Sequence, residues 1–472
     1  MYRSDGAVLA IDVGTSVIKA GLVDPSGEVL QTAHHLVAPA MQGDGRHEVD
    51  ARHWLAALTA AAAELRVDAL AAVVVTGHGP SLVPADADGN PLANVMTWLD
   101  RRAGAQVDEI VRHGGGKREA AFFLAKVLWY RQRAPETYAA AHAFVSAPEF
   151  VAMRLCGRWH TALAAPGFQR YYWDDPLLAA VDVAPAKLPA FVATGELLGE
   201  VTRAAANELG VPAGVPVYAG STDFVMALLG SGATAAGMSL DRAGSSDGLN
   251  HCSEAEIEDR RLVTLPHIVD GLYTLSGLLS TTGAAIDWWR TTLGREQPLD
   301  DALAATAGAG GVLFVPHLSG ARTPLWRTDV RAGFVGLALE TTATQLARAV
   351  LESVGYALRD AAATMEENGC QLGEIRVSGG HPHAPGLSQL KADILGRPLR
   401  PVSPDAGLIG CACVAYCSSG RFASLAEAAT ALAQLDAPLE PRPEHRDIYD
   451  ERFSAYRRAQ QLVADWHQPA IG

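Results

Sequence analysis

The sequence predicts an α/β protein of two large domains with largely parallel sheets. Three observations predict it. Short apolar runs of strand length alternate with amphipathic or alanine-rich runs of helix length in both halves of the chain. The length, 472 residues, suits two or three domains and favours two large ones. A Gly-, Ser- and Ala-rich stretch over 230–250 interrupts the alternation and reads as an inter-domain crossing. The domains are therefore expected at 1–242 and 243–472.

The elements follow in order. Val8 to Gln31 reads strand, turn, strand, turn, strand, because Gly14-Thr15-Ser16 and Asp24-Pro25-Ser26-Gly27 are turn signals. His53 to Leu65 is an amphipathic helix, and Ala71 to Val75 a buried strand that ends in Thr76-Gly77-His78-Gly79. Asp86 to Asn90 is a turn, and Val95 to Trp98 a strand leading to Asp100-Arg101-Arg102. Phe122 to Gln132 and Glu149 to Leu155 read as helices, and Tyr171 to Pro176 as an aromatic, acidic loop. Val215 to Ala219 is a buried strand that breaks at Gly220-Ser221-Thr222-Asp223, with a helix from Phe224 to Leu229. In the second half, strands are expected at 272–279, 311–315 and 374–378. Helices are expected at 283–293, 344–368, 385–395 and 408–418, and a closing amphipathic helix at 446–466.

Composition excludes several functions. A net charge of −14 argues against a nucleic-acid or anionic-membrane surface. No apolar run approaches the length of a membrane span, and the N-terminus lacks the pattern of a signal peptide. Six cysteines suit a reducing cytoplasm, and Cys411, Cys413 and Cys417 read as buried thiols on a packed helix. His381 and His383, separated by Pro382, lack a carboxylate partner for a metal site.

The opening hairpin carries the chemistry. A glycine-hydroxyl loop between two strands offers backbone N–H groups and hydroxyls to an anion, and Asp12 is placed to hold a divalent metal directly or through water. Lys19 reads as a phosphate contact or an exposed strand residue. Asp223, between a strand and a helix, reads from spacing alone as a general base or a helix cap. Gly244, Ser245 and Ser246 suit a second phosphate grip or a flexible linker. Gly379 and Gly380 suit close backbone approach to a nucleotide or an ordinary turn. His78, exposed by a glycine on each side, suits a hydrogen bond to a ligand or a structural place, Asp100 suits acceptance from a hydroxyl pair, and Trp98 suits an apolar ligand face or a core position.

The residues resemble the FGGY carbohydrate kinases, of the superfamily of actin, the heat-shock chaperone ATPases and hexokinase. The likeness runs from about Val8 to about Thr430. Its first phosphate motif lies at Asp12, Gly14, Thr15, Ser16 and Lys19. Gly333-Phe334-Val335-Gly336-Leu337 with Gln345 to Glu352 is similar to the C-terminal signature, and Leu318-Ser319-Gly320-Ala321-Arg322-Thr323-Pro324 precedes it. Gly379-Gly380 with Gln389, Ala392, Asp393, Gly396, Arg397 and Pro398 resembles the adenosine motif. Within the family the nearest likeness is to xylulokinases, through Gly77-His78-Gly79, Trp98-Leu99-Asp100-Arg101-Arg102 and Gly220-Ser221-Thr222-Asp223. The chain has Gly77 where those kinases have Met, Leu99 for Asn, and Gly244-Ser245-Ser246-Asp247 for Gly-Thr-Ser-Gly. Asp247 would repel a γ-phosphate unless it points away or reaches the metal.

The resemblance implies two actin-like ATPase (ribonuclease H-like) domains with a cleft between them. It implies ATP and Mg2+, with Asp223 as catalytic base, Asp12 at the metal, and Gly77, His78, Trp98 and Asp100 at the substrate. Gly14, Thr15, Ser16, Lys19, Gly244, Ser245, Ser246, Gly379 and Gly380 would hold the nucleotide. The expected reaction is D-xylulose to D-xylulose 5-phosphate. Ribulose, a deoxy-ketose, glycerol or erythritol are the alternatives, and beyond them an actin- or chaperone-type ATPase or a catalytically dead binding protein. The oligomeric state is left open, a homodimer included.

Overall fold

The computed structural model describes residues 6–67, 69–114, 122–244, 246–293, 299–379 and 386–467. The chain divides into two compact units. The first comprises Met1–Gly232, Pro266–Asp270 and Gly407–Ala433; the second comprises Ala233–Leu265, Gly271–Ala406 and Gln434–Gly472.

In the first unit a six-stranded sheet runs Val29–Leu36, Val17–Val23, Ala7–Val13, Leu70–Gly77, Pro216–Tyr218, Leu197–Glu200. The first three are an antiparallel meander, while Ala7–Val13, Leu70–Gly77 and Pro216–Tyr218 run parallel. The apolar run Val8 to Ile11 is buried on both faces, as a central strand requires. Its period of two sorts the side chains. Leu9, Ile11 and Val13 pack with Trp54 and Leu58 of the helix Ala51–Glu64, and Val8 and Ala10 pack with Ile409, Cys411 and Ala412 of the helix Ala406–Ser418. The Asp-Pro-Ser-Gly turn forms as its chemistry demands. Asp24 Oδ1 accepts from the N–H groups of Ser26 (2.8 Å) and Glu28 (3.0 Å), and Gly27 takes φ 85°.

The second unit repeats this plan. Its sheet runs Val263–Pro266, Tyr273–Leu278, Gly248–Ser253, Ser239–Ala243, Ile375–Gly379, Leu399–Pro401. Tyr273–Leu278, Gly248–Ser253 and Ser239–Ala243 form the antiparallel meander, and Ile375–Gly379 and Leu399–Pro401 add in parallel. The 25-residue helix Ala343–Glu367 covers it, opened by a Thr342–Gln345 capping box. Within it the buried pair Arg348 Nε–Glu352 Oε1 (2.8 Å) is also held by Tyr449 and Tyr356.

Two expectations need correction. The stretch 230–250 is not a linker throughout: it holds the strand Ser239–Ala243 and the start of its partner Gly248–Ser253. The chain also does not divide at a single boundary, because the helix Ala406–Ser418, expected in the second domain, closes a face of the first sheet. The expected helix 283–293 is helical over Gly283–Trp288 and widens to a π-type turn over Trp289–Leu293. Cys411 and Cys413 are buried thiols on a packed helix, as expected, Cys417 on the same helix is only half-buried, and all six cysteines are free. Among the described residues no helix is long and apolar enough to cross a membrane.

Candidate active site

In the first unit, three parallel strands end side by side, and the predicted chemistry gathers at their carboxyl ends, where open α/β sheets bind ligands. Asp12 lies opposite Thr76 and Val13 opposite Gly77, and Gly77 bridges onward to Thr222, the residue before Asp223. Thr76 Oγ1 donates to Ser221 O (2.7 Å), which ties the second strand end to the third. The packing requires glycines: a Cβ on Gly77 would meet Val13 O at 2.7 Å, and one on Gly220 would meet Val75 O at 2.0 Å.

The opening hairpin is closed by Gly14 N–H, which donates to Val17 O (3.0 Å) and Asp12 O (3.2 Å). Gly14 therefore shapes the turn, and its N–H is already taken up. A Cβ there would stand 2.4 Å from Val17 O. The half-buried Asp12 and Lys19 are cross-strand partners on one face. Asp12 lies near the helix behind the sheet: burial, and then the charge of Asp12, push the Cys411 thiol well above its usual range.

His78 is buried and faces Trp54 edge-on at 5.7 Å. Its Nδ1 lies 2.8 Å from Val13 O, which can only accept, so Nδ1 carries the proton and Nε2 presents a lone pair. That Nε2 is buried and has no hydrogen-bond partner among the described residues. Burial holds the imidazole below its ordinary pKa, and the charge of nearby Asp223 pulls the other way. Asp223 opens the helix Asp223–Gly230, one oxygen accepting from Phe224 N (2.6 Å), while Thr222 is the N-cap residue.

Asp100 and Trp98 divide the work differently from expectation. Both oxygens of the buried Asp100 are taken up by protein donors. Oδ1 accepts from Arg102 N (3.1 Å) and Nε (3.0 Å); Oδ2 accepts from Arg102 at 2.7 Å and from His47 N at 3.0 Å. Arg102 reaches on to Glu48 (2.5 Å) and lies 4.7 Å over the Trp129 ring. Asp100 therefore sits as a brace. Trp98 is not core: it is 37% exposed, and its Nε1 donates to Thr15 Oγ1 (3.0 Å) in the opening hairpin.

In the second unit, Gly244 and Ser246 form the turn between the strands Ser239–Ala243 and Gly248–Ser253. Asp247 points inward: its Oδ1 accepts from Gly244 N (3.1 Å) and Thr282 Oγ1 (2.7 Å), and its Oδ2 from Lys391 Nζ (2.8 Å). The feared repulsion is thus resolved by orientation. Lys391 also meets Asp241 Oδ2 at 2.8 Å, and burial pushes Asp241 up to about 7. Gly379 takes φ 100°, and a Cβ on it would stand 2.0 Å from Ala243 O. Ser245, Gly380, His381 and His383 lie outside the described residues.

Domain profiles complete the assignment. The FGGY carbohydrate kinase N-terminal domain matches residues 7–230, and the C-terminal domain of the same family matches 241–419. The chain belongs to the FGGY family of carbohydrate kinases. It is a phosphotransferase of that family, with an actin-like ATPase architecture, and these kinases use ATP as phosphate donor. It is 27% identical to a xylulose kinase of Staphylococcus epidermidis, over 97% of this chain and 98% of that one. It is 31% identical to a glycerol kinase of Dechloromonas aromatica, over 99% and 97%. The crystal structure of xylulose kinase from Rhodospirillum rubrum superposes with a TM-score of 0.84 at 26% identity, over 98% and 99%.

Sequence reasoning missed Asp241, Lys391 and Thr282, and the bracing group His47, Glu48 and Arg102. One signal was available: Lys126, a charged residue inside the apolar helix Phe122–Arg133, is buried and donates to Pro80 O (2.8 Å) behind the His78 turn. Among the described residues no group of three or more His, Cys, Asp or Glu is arranged for a metal. A magnesium ion held by Asp12 together with nucleotide phosphates fits such a site, since Mg2+ binds through one or two carboxylates plus substrate oxygens.

Proposed function

We propose that this kinase phosphorylates D-xylulose to D-xylulose 5-phosphate, with MgATP as donor and Asp223 as general base. The observation that carries the reading is the bridge between Gly77 and Thr222, which sets His78 and Asp223, the residues that follow them, at adjoining strand ends. Phosphoryl transfer to an alcohol needs a carboxylate within hydrogen-bond reach of the attacking oxygen. His78 Nε2, a buried lone pair, suits a sugar hydroxyl as donor. Thr15, Ser16 and Lys19 receive the terminal phosphates, and Asp12 holds the metal. Charge neutralisation matters more than proton removal, because the transition state is loose. In the first unit Asp100 braces, through Arg102 and His47, the turn that carries Trp98. The cytoplasm is the compartment that suits these substrates and six free cysteines.

The xylulose kinase of S. epidermidis supports the ketose. A polyol such as glycerol is the second reading, favoured by the 31% identity to the D. aromatica glycerol kinase. A coupled ADP-release screen over D-xylulose, D-ribulose, glycerol and erythritol separates them. Asp223→Asn is expected to lower turnover by roughly 10³-fold or more with little change in substrate affinity. A variant that keeps near-normal turnover removes Asp223 as the base.

A further inference from the structure

Trp98 projects from the turn after the strand Val95–Met96, and both ends of that turn are anchored. Thr97 N–H donates to His47 O (3.1 Å), and Thr97 Oγ1 lies 2.8 Å from His47 Nδ1. Asp100 Oδ2 accepts from His47 N (3.0 Å) and is gripped by Arg102. The indole between these anchors is held over the opening hairpin, where its Nε1–H donates to Thr15 Oγ1 at 3.0 Å across 83 residues of sequence.

The chemistry of this contact is directional. An indole N–H can only donate, so it occupies a lone pair of the Thr15 oxygen. The hydroxyl proton is then turned away from the indole, and no acceptor among the described residues takes it. A hydroxyl that accepts one hydrogen bond is also a stronger donor of the next. We infer that Trp98 is a positioning residue for the nucleotide: its indole N–H orients the Thr15 hydroxyl as a donor to a phosphate oxygen. One side chain thereby joins the acceptor-binding turn to the phosphate hairpin. The inference rests on the reading of the hairpin as a phosphate site and adds to it the residue that sets its hydroxyl.

The test is a double-mutant cycle read by calorimetry, with the Mg2+ complex of the β,γ-imido analogue of ATP as probe and no sugar present. Trp98→Phe keeps a ring and loses the N–H. It should weaken the analogue about three- to tenfold, the size of one neutral hydrogen bond. The same loss is expected in a Thr15→Ser background, which keeps the hydroxyl. In a Thr15→Val background Trp98→Phe should change nothing, because the oxygen through which it acts is gone. Trp98→Phe with unchanged analogue affinity, or an equal loss with and without the hydroxyl, overturns the inference while leaving the hairpin as a phosphate site. Should Thr15→Val not fold, Thr15→Ala supplies the same arm. Failure of the wild-type protein to bind the analogue overturns the phosphate reading, and the role of Trp98 with it.

Discussion

Lys391 Nζ lies 2.8 Å from Asp247 Oδ2, with both side chains buried in the second unit. The same ammonium meets Asp241 Oδ2, so one cation serves two buried carboxylates. Asp247 in turn fixes the Gly244 turn through the Gly244 N–H. The turn expected to touch phosphate is therefore shaped by a charge group packed beneath it. Such a group contributes geometry more than stability, since the desolvation of three charges offsets most of their attraction.

Removing the cation alone leaves the acids without their counter-charge. Lys391→Met should cost on the order of 3–5 kcal/mol, read as a fall in the urea midpoint. Replacing the group together (Asp241→Asn, Lys391→Met, Asp247→Asn) should recover most of that loss, because no charge remains buried. If Lys391→Met leaves the midpoint unchanged, the ammonium does not hold the acids.

Gly379 tests the closeness of two strand ends. Its φ is 100°, and a Cβ would stand 2.0 Å from Ala243 O, a backbone atom that cannot swing aside. Gly379→Ala should cost more than about 2 kcal/mol and separate the two strands at their carboxyl ends. Gly369 is the control: φ is 85°, but nothing lies within 4 Å of the added carbon. Gly369→Ala should cost only the left-handed penalty of about 1–2 kcal/mol. Equal melting temperatures for the two variants would mean that the Ala243 contact is not tight.

The opening hairpin was legible because its signals are local. An apolar run, a Gly-Thr-Ser turn and an Asp-Pro-Ser-Gly turn each act within a few residues, and each formed. The stretch 230–250, which holds the strand pair Ser239–Ala243 and Gly248–Ser253, reads as an inter-domain crossing because it is rich in Gly, Ser and Ala. One oxygen each of Asp241 and Asp247 instead meets Lys391, 150 and 144 positions along the chain, a partner with no local signature. Asp100 shows the converse case. Its acid looked available to a sugar, while its partner Arg102 stood two residues away, where a turn brings the two together. The Trp98–Thr15 contact spans 83 residues and has no local signature.

Lys126 supplies a pH prediction. Its ammonium is buried behind the His78 turn, donating to Pro80 O at 2.8 Å, and burial lowers its pKa to about 7 against the pull of Asp100. The unfolded chain keeps a lysine near its ordinary value, about 10.4. Between these values the unfolded state holds a proton that the folded state lacks, so the Lys126 contribution to stability rises with pH across that window. Below about pH 7 both states are protonated, and the full desolvation penalty is present. Lys126→Met abolishes the dependence. The stability of the wild-type protein relative to Lys126→Met should therefore grow from pH 7 to pH 10, by at most about 1.4 kcal/mol per unit. Urea midpoints of the two proteins at several pH values in that range measure it, and a difference that stays constant would show that Lys126 keeps an ordinary pKa in the folded state.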